Sequence, residues 1–434
     1  MNPPVIGVLG VAALLVVMLT KMPIAFVFAV VGFFGFAIMK DLTAALDLLA
    51  LDFFEVFSSY HLTVIPLFVL MGQIAFHVGI SQKLYTTGYK LFGRVRGGLA
   101  MGTIAACAAF AACCGSSPAS AATMGTVALP GMRRYGYADE LATGCVAAGG
   151  SLGILIPPSV IMIIYGILVE QSIAKLFIAG IVPGIALSLL FIAAIFVITT
   201  IHPEMGPAGE ATTWREKLAA AFSGVGETLS VFVLIMGGLF LGVFTPSEAG
   251  AVGAMGICLI AVFKRTLGWD KFYLALGETL KTTAMILLII AGATVFGHFL
   301  ATTRLPFVAA DWVAGLALPR SLIMLLMVAV YLVGGCVMDG MALLMLTTPI
   351  FYPVSQALGY DPIWFGVIVV LVIEMATITP PVGINVYVIK GVAKDVSLQT
   401  IFKGIFPFLL AEVLMVILLL LWPGLAMWLP NFMT

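Results

Sequence analysis

The sequence predicts an all-α integral membrane protein with about ten crossings, two re-entrant hairpins and several amphipathic arm helices. Three observations carry that prediction. The first is composition: of 434 residues, 62% are hydrophobic and only 9% are charged, whereas a soluble domain carries about 25% charged residues. The second is the recurrence of long apolar stretches from end to end. The third is a set of apolar segments broken midway by Gly, Pro and hydroxyl residues, among 46 Gly and 22 Pro in all. That abundance fits close helix packing and interrupted helices.

Spans are expected near 5–20, 23–39, 62–78, 139–169, 176–200, 226–244, 246–263, 282–300, 363–390 and 404–422. The segments 139–169 and 363–390 are too long for one regular crossing, and each contains a Pro-Pro pair. The more polar segments 44–60, 81–96, 266–281 and 303–320 read as arms lying along the membrane surface. Residues 98–132 and 321–352 are apolar but interrupted by GSSP (115–118) and GGCVMDG (334–340), which reads as two hairpins. The start MNPPVIGVLG has no basic n-region, so the first apolar run is expected to be the first span.

The halves resemble one another. Pro130 and Pro353 lie 223 residues apart, as do Gly136 and Gly359, Tyr137 and Tyr360, Pro157 and Pro380, and Pro158 and Pro381. These residue types specify backbone geometry, so their shared spacing points to duplicated architecture. The expected organisation is a first repeat over 1–201, a polar cytoplasmic linker over 202–225 and a second repeat over 226–434. With the N-terminus outside, 16 of the 20 Lys and Arg fall on the cytoplasmic side, only Lys40, Lys175, Arg304 and Arg320 remaining outside. Five crossings per half is an odd number, so the second repeat is inverted. Inverted repeats whose broken helices meet at mid-membrane are a transporter architecture.

Four broken elements carry the candidate chemistry. In the first, Gly115 and Pro118 break the helix while Ser116, Ser117, Ser120 and Thr123 supply hydroxyls. Irregular backbone survives in hydrocarbon only when buried in protein or lining a wet cavity. The helix that restarts there aims its positive end at the turn, which suits an anion; a small-residue packing turn is the alternative. In the second, Gly153 precedes Pro157 and Pro158, which remove two backbone donors and free carbonyl oxygens, hard ligands suited to sodium. A proline kink used for packing alone is the other reading. In the third, Gly335, Asp339 and Gly340 form a turn whose carboxylate can ligate sodium or cap the following helix. In the fourth, Thr377 and Thr379 precede Pro380 and Pro381, and Asn385 follows. Glu374 is either an ion or proton ligand or paired with a neighbouring helix, and Glu412 lies mid-span far along the chain.

Other classes find no support. The six Cys form no CxxC or Cys/His metal spacing and read as packing residues. The four His fall at span ends or linkers, and no GxxxxGK[ST] phosphate loop occurs. Zero net charge leaves no nucleic-acid footprint. No nucleophile–base pair stands at any break, so an enzyme is not expected.

The runs GSSPASAATMGTVALPGM (115–132), GGSLGILIPPS (149–159) and ATITPPVGIN (376–385) resemble the large permease subunit of tripartite ATP-independent periplasmic (TRAP) transporters. The TP-x-E-A run at 245–249 and IAGIVPG at 178–184 fit too. The resemblance implies a multi-pass protein of a bacterial inner membrane, an inverted-repeat elevator-type transporter with sodium as coupling ion and no other cofactor. It implies a small organic acid as solute, a periplasmic binding protein that delivers it, and a separate small four-span membrane subunit. Carried over, Gly115–Ser120 with Gly153–Pro158 form one half of the site and Gly335–Gly340 with Thr377–Pro381 the other, with sodium near Ser116, Ser117, Gly153, Gly335, Asp339 and Thr377. The pair Cys113-Cys114 is not a feature expected of the family. A sodium-coupled dicarboxylate or citrate-type carrier without a binding protein, and an anion channel, stay open beside it.

Overall fold

A computed structural model describes residues 2–209, 212–220, 225–316 and 318–433, and among them every regular element is helical. The first part of the chain runs α1 (Pro3–Met18), α2 (Ile24–Met39), α3 (Leu42–Ser58), α4 (Val64–His77) and α5 (Ile80–Phe92). The first hairpin follows as α6 (Gly98–Cys114) and α7 (Ser117–Arg134). The first broken helix is α8 (Asp139–Leu155) and α9 (Val160–Leu168), and α10 (Ile173–Ile201) closes this part. After α11 (Trp214–Ala220) the same order returns as α12 (Gly226–Phe240), α13 (Pro246–Phe263), α14 (Trp269–Thr303) and α15 (Leu305–Ala314). The second hairpin is α16 (Arg320–Gly335) and α17 (Gly340–Ala357), the second broken helix α18 (Pro362–Ile378) and α19 (Ile384–Val392). The chain ends with α20 (Leu398–Leu421) and a short α21 (Gly424–Met427). Helices α17 and α18 begin and end 223 residues after α7 and α8.

Local chemistry explains the boundaries. Asp41 caps α3 by accepting from the Ala44 N–H at 2.8 Å. Thr245 and Glu248 form a reciprocal capping box that starts α13, so Glu248 is a helix-start residue as its place after Thr245-Pro246 predicts. Gly136 and Gly359 both take positive φ, 73° and 77°, in the turns before α8 and α18. Among the described residues, six helical stretches are long and apolar enough to cross a membrane, and six more apolar helices run 10–17 residues, by length and composition.

One expectation changes. The separate arm at 266–281 and span at 282–300 are a single 35-residue helix, α14. No Pro interrupts it, whereas in the first half extended backbone at Ser59 and a 3₁₀ turn at Tyr60–Thr63 part α3 from α4. At 1.5 Å per residue α14 is about 52 Å long, beyond the roughly 30 Å of a hydrocarbon core. Its charged residues, Asp270, Lys271, Glu278 and Lys281, all lie in its N-terminal portion.

The segment after α10 is fastened rather than loose. Gly97 N–H donates to Gly206 O, Ala138 N–H to Met205 O, and Lys217 Nζ to Leu91 O, at 2.8, 3.1 and 3.0 Å. Of the linker expected at 202–225, residues 210–211 and 221–224 lie outside the described residues.

Small residues let the helices cross closely. Where α8 meets α20, a Cβ on Gly144 would collide with the Gly404 carbonyl and one on Gly404 with the Glu140 carbonyl. This is the small-residue packing that membrane helices use where apolar burial gives no drive for association. Gly404→Val is expected to cost about 1–3 kcal/mol through overpacking. Thermal melting of the detergent-solubilised protein should show it, while Gly391→Ala, at a position with open space around it, should melt like the wild type.

Candidate functional site

The four breaks meet. A cavity of about 910 Å³ is bounded by Cys114, Gly115, Ser116 and Pro118 at the first hairpin tip and by Asp339, Gly340 and Met341 at the second. Ile154, Val160 and Ile161 flank the first broken helix there, and Thr377 and Ile384 flank the second. The opposite wall comes from α2, α4 and α14, with Gln73, His77, Glu278 and Thr282 as its polar groups.

Each break brings a helix start to this place, and three of them also bring a helix end. Helices α7, α9, α17 and α19 begin here, and α6, α8 and α18 end here, while α16 ends at Gly335, outside the lining. A helix start carries roughly half a positive charge and a helix end the opposite, so the cavity offers both anion-binding donors and cation-binding carbonyls. Two starts are capped from within: Ser159 Oγ accepts from Met162 N–H at 3.3 Å, and Asp339 Oδ1 from Met341 N–H at 3.0 Å. The starts of α7 and α19 have no side-chain cap. The first of these faces the cavity, with Ser116, Pro118, Ala119 and Thr123 in its wall.

Close packing fixes the first tip. Gly115 takes φ +65°, and a Cβ there would stand 2.9 Å from the Pro158 carbonyl oxygen. A Cβ on Gly153 would stand 2.7 Å from Ser120 Oγ and 2.8 Å from Ser116 O. At the second tip, Gly340 packs on Ile373, with Ile161 of α9 behind it, and Gly335 on Ala376.

The residues singled out by the sequence sort into three places. Gly115, Ser116, Pro118, Thr123, Asp339, Gly340 and Thr377 line the cavity. Ser117, Ser120, Gly153, Pro157, Pro158 and Asn385 are buried outside its lining. Gly335 packs against α18, while Thr379, Pro380 and Pro381 lie at the outer side of their break, the two prolines exposed. Asp339 acts as the cap of α17, one of the two roles read from the sequence, and it also lines the cavity.

Sequence reasoning missed the far wall. Gln73 and His77 are spaced by four and are the polar residues of an otherwise apolar α4; Glu278 and Thr282 repeat that spacing on α14. Residues four apart share a helix face, and that pattern was the available signal. The cavity lining contains no Lys or Arg. Its oxygen donors are hydroxyls, carbonyls and carboxylates, and no cluster of three or more His, Cys, Asp or Glu occurs among the described residues. Those oxygen donors are of the kind that fits a hard cation.

An all-helical chain whose interrupted helices surround one central cavity has the build of a membrane transport protein. The fold agrees with solved transporters: it superposes on Alcanivorax borkumensis YdaH with a TM-score of 0.67 over 98% of each chain at 14% identity. It also superposes on Neisseria gonorrhoeae MtrF, with a TM-score of 0.58 over 89% of this chain and 84% of that one at 15% identity. The family model for the tripartite ATP-independent periplasmic transporter, DctM component, matches residues 11–425. The C4-dicarboxylate TRAP transporter large permease protein DctM of Pseudomonas aeruginosa is 37% identical, covering 89% of this chain and 90% of that one. The sialic acid TRAP transporter large permease protein SiaM of Vibrio cholerae is 32% identical over 86% and 87%. The isethionate TRAP transporter permease protein DctMQ of Oleidesulfovibrio alaskensis is 32% identical over 89% of this chain and 61% of that one. The chain belongs to the DctM family, the large permease component of TRAP transporters.

Gly153→Val is expected to push the first hairpin tip off α8, at about 1–3 kcal/mol of overpacking. Solute uptake should fall sharply, while Gly237→Ala, which meets nothing within 4 Å, should leave it unchanged.

Proposed function

We propose that this chain is the membrane permease of a sodium-coupled uptake system for a small organic acid, handed over by a periplasmic binding protein. The observation that carries the reading is the cavity where four helix starts and three helix ends meet without a Lys or Arg side chain in the wall. An organic anion entering beside Asp339 and Glu278 gains little from side chains. Helix starts supply donors, and the remaining charge calls for cations that enter with the solute.

Sodium, when bound, would neutralise solute charge and hold the hairpin tips together; Ser116, Ser117, Gly153, Gly335, Asp339 and Thr377 are the residues proposed to hold it. The uncapped start of α7 orients the solute carboxylate. Thr377 donates its hydroxyl to Glu374 O at 2.7 Å, which leaves its oxygen lone pairs free toward the cavity. The hairpins and broken helices form the moving unit of an elevator, and α2, α4, α13 and α14 the scaffold, with the cavity at their boundary. The two parts of the chain are inverted repeats in a bacterial inner membrane. The relatives' names, for a C4-dicarboxylate, sialic acid and isethionate permease, support an acidic solute without selecting one. The longer DctMQ relative supports a small membrane subunit as a partner.

Reconstituted in liposomes with both partners, the chain is expected to accumulate an organic acid only when a sodium gradient is imposed. Thr377→Val should raise the sodium concentration needed for half-maximal uptake. Uptake by the chain alone would favour a carrier that needs no binding protein. Flux that persists after collapse of the sodium gradient would favour a channel.

A further inference from the structure

A second pocket, of about 500 Å³, shares no lining residue with the solute cavity. One wall is the polar face of α5, with Lys83 and Lys90 seven residues apart. The end of α11 at Ala219 and Ala220 forms another, and Lys264, just past α13, completes the lining. Hydrogen bonds fix these walls. Thr87 Oγ1 donates to Lys83 O at 2.9 Å and across to Ala220 O at 3.0 Å, and Lys217 Nζ donates to Leu91 O at 3.0 Å, so α11 is tied to α5 at two points. Thr86 spends its hydroxyl on Gln82 O at 2.8 Å. The donors left for a ligand are the Gln82 amide and the ammonium groups.

Charge is not balanced there. Lys83, Lys90 and Lys264 line the pocket, and among the described residues no acid does. Glu227 of α12, outside the lining, gives one carboxylate oxygen to Lys83 at 3.8 Å and the other to Lys264. One carboxylate thus serves two ammonium groups, and Lys90 has no ion pair among the described residues. Partial burial and the neighbouring Lys83 hold the Lys264 pKa below its ordinary value. An anion placed among the three lysines relieves that repulsion.

The surroundings say what carries the anion. Lys264 follows α13, which is long and apolar enough to cross a membrane. Phe263 and Val262 beside it are exposed, Phe263 by 83%, and so is Leu229, two residues after Glu227 on α12. Basic pockets at the ends of spanning helices suit lipid headgroups, and exposed apolar surface next to them suits acyl chains. A dissolved anion would use the lysines and leave that apolar surface without a role. We propose that this pocket binds the headgroup phosphate of an anionic phospholipid, with Lys83, Lys90 and Lys264 around the phosphate and the acyl chains along the exposed surface of α12 and α13.

The test is scintillation proximity binding of radiolabelled dioleoyl-phosphatidylglycerol to the purified full chain in detergent. It needs no transport, so it stands or falls apart from the uptake reading. Unlabelled phosphatidylglycerol is expected to displace the label and phosphatidylcholine to leave it bound. Lys90→Gln, which breaks no ion pair, should weaken binding about fivefold, and Lys90→Gln combined with Lys264→Gln about 25-fold. Lys403→Gln, at an exposed lysine of α20, should bind like wild type. Inorganic phosphate should displace no more lipid than chloride does at equal ionic strength. Wild-type binding by the double variant overturns the proposal, as does equal weakening by Lys403→Gln or equal displacement by phosphatidylcholine. Displacement by inorganic phosphate beyond that by chloride also overturns it, and would mark a site for a dissolved anion instead.

Discussion

Unpaired backbone is the constraint on which this structure depends. A helix interrupted inside a membrane leaves N–H and C=O groups that hydrocarbon cannot satisfy, so each interruption must be buried in protein or face a wet cavity. The chain interrupts its helices at four places and brings all four to one cavity. The groups freed by one break then sit opposite those of the others. The same arrangement that satisfies the backbone collects helix starts and helix ends around a space able to hold an anion and its cations.

Packing makes this arrangement specific. Glycines at the contacts, Gly115 against Pro158, Gly153 against Ser116 and Ser120, and Gly340 against Ile373, allow approaches that a side chain would block. A buried polar layer lies behind the tips, where Asn385 joins the first hairpin to the second broken helix through Ser117. An amide so placed rewards one registration of α19 against α7, because a slip would leave its donors unpaired in a low-dielectric interior.

Much of the fold was legible because its signals are local. Gly, Pro and hydroxyl residues mark where helices stop, and their recurrence at a spacing of 223 residues matches the recurrence of α7 and α8 as α17 and α18. Four of the breaks could be placed in the sequence for that reason. The joining of arm and span in α14 was not legible, since a polar-to-apolar change along a chain does not by itself break a helix. The partners of the buried acids were hidden too. Glu374 and Glu412 sit on different helices, and Ser117 is 268 residues from the amide that holds it, so only the folded packing reveals the cluster. Pro380 and Pro381 share the repeat spacing with Pro157 and Pro158, yet they are exposed where the first pair is buried. Matching sequence position does not carry matching surroundings when the two parts meet different neighbours.

The most direct measurement is a structure of the chain determined with its organic acid and sodium present. The account predicts solute density between the two hairpin tips, its carboxylate at the start of α7 near Ser116, and cation density against Asp339 or Thr377. Solute density elsewhere, or solute bound with hairpin tips that no longer share one cavity, would contradict it.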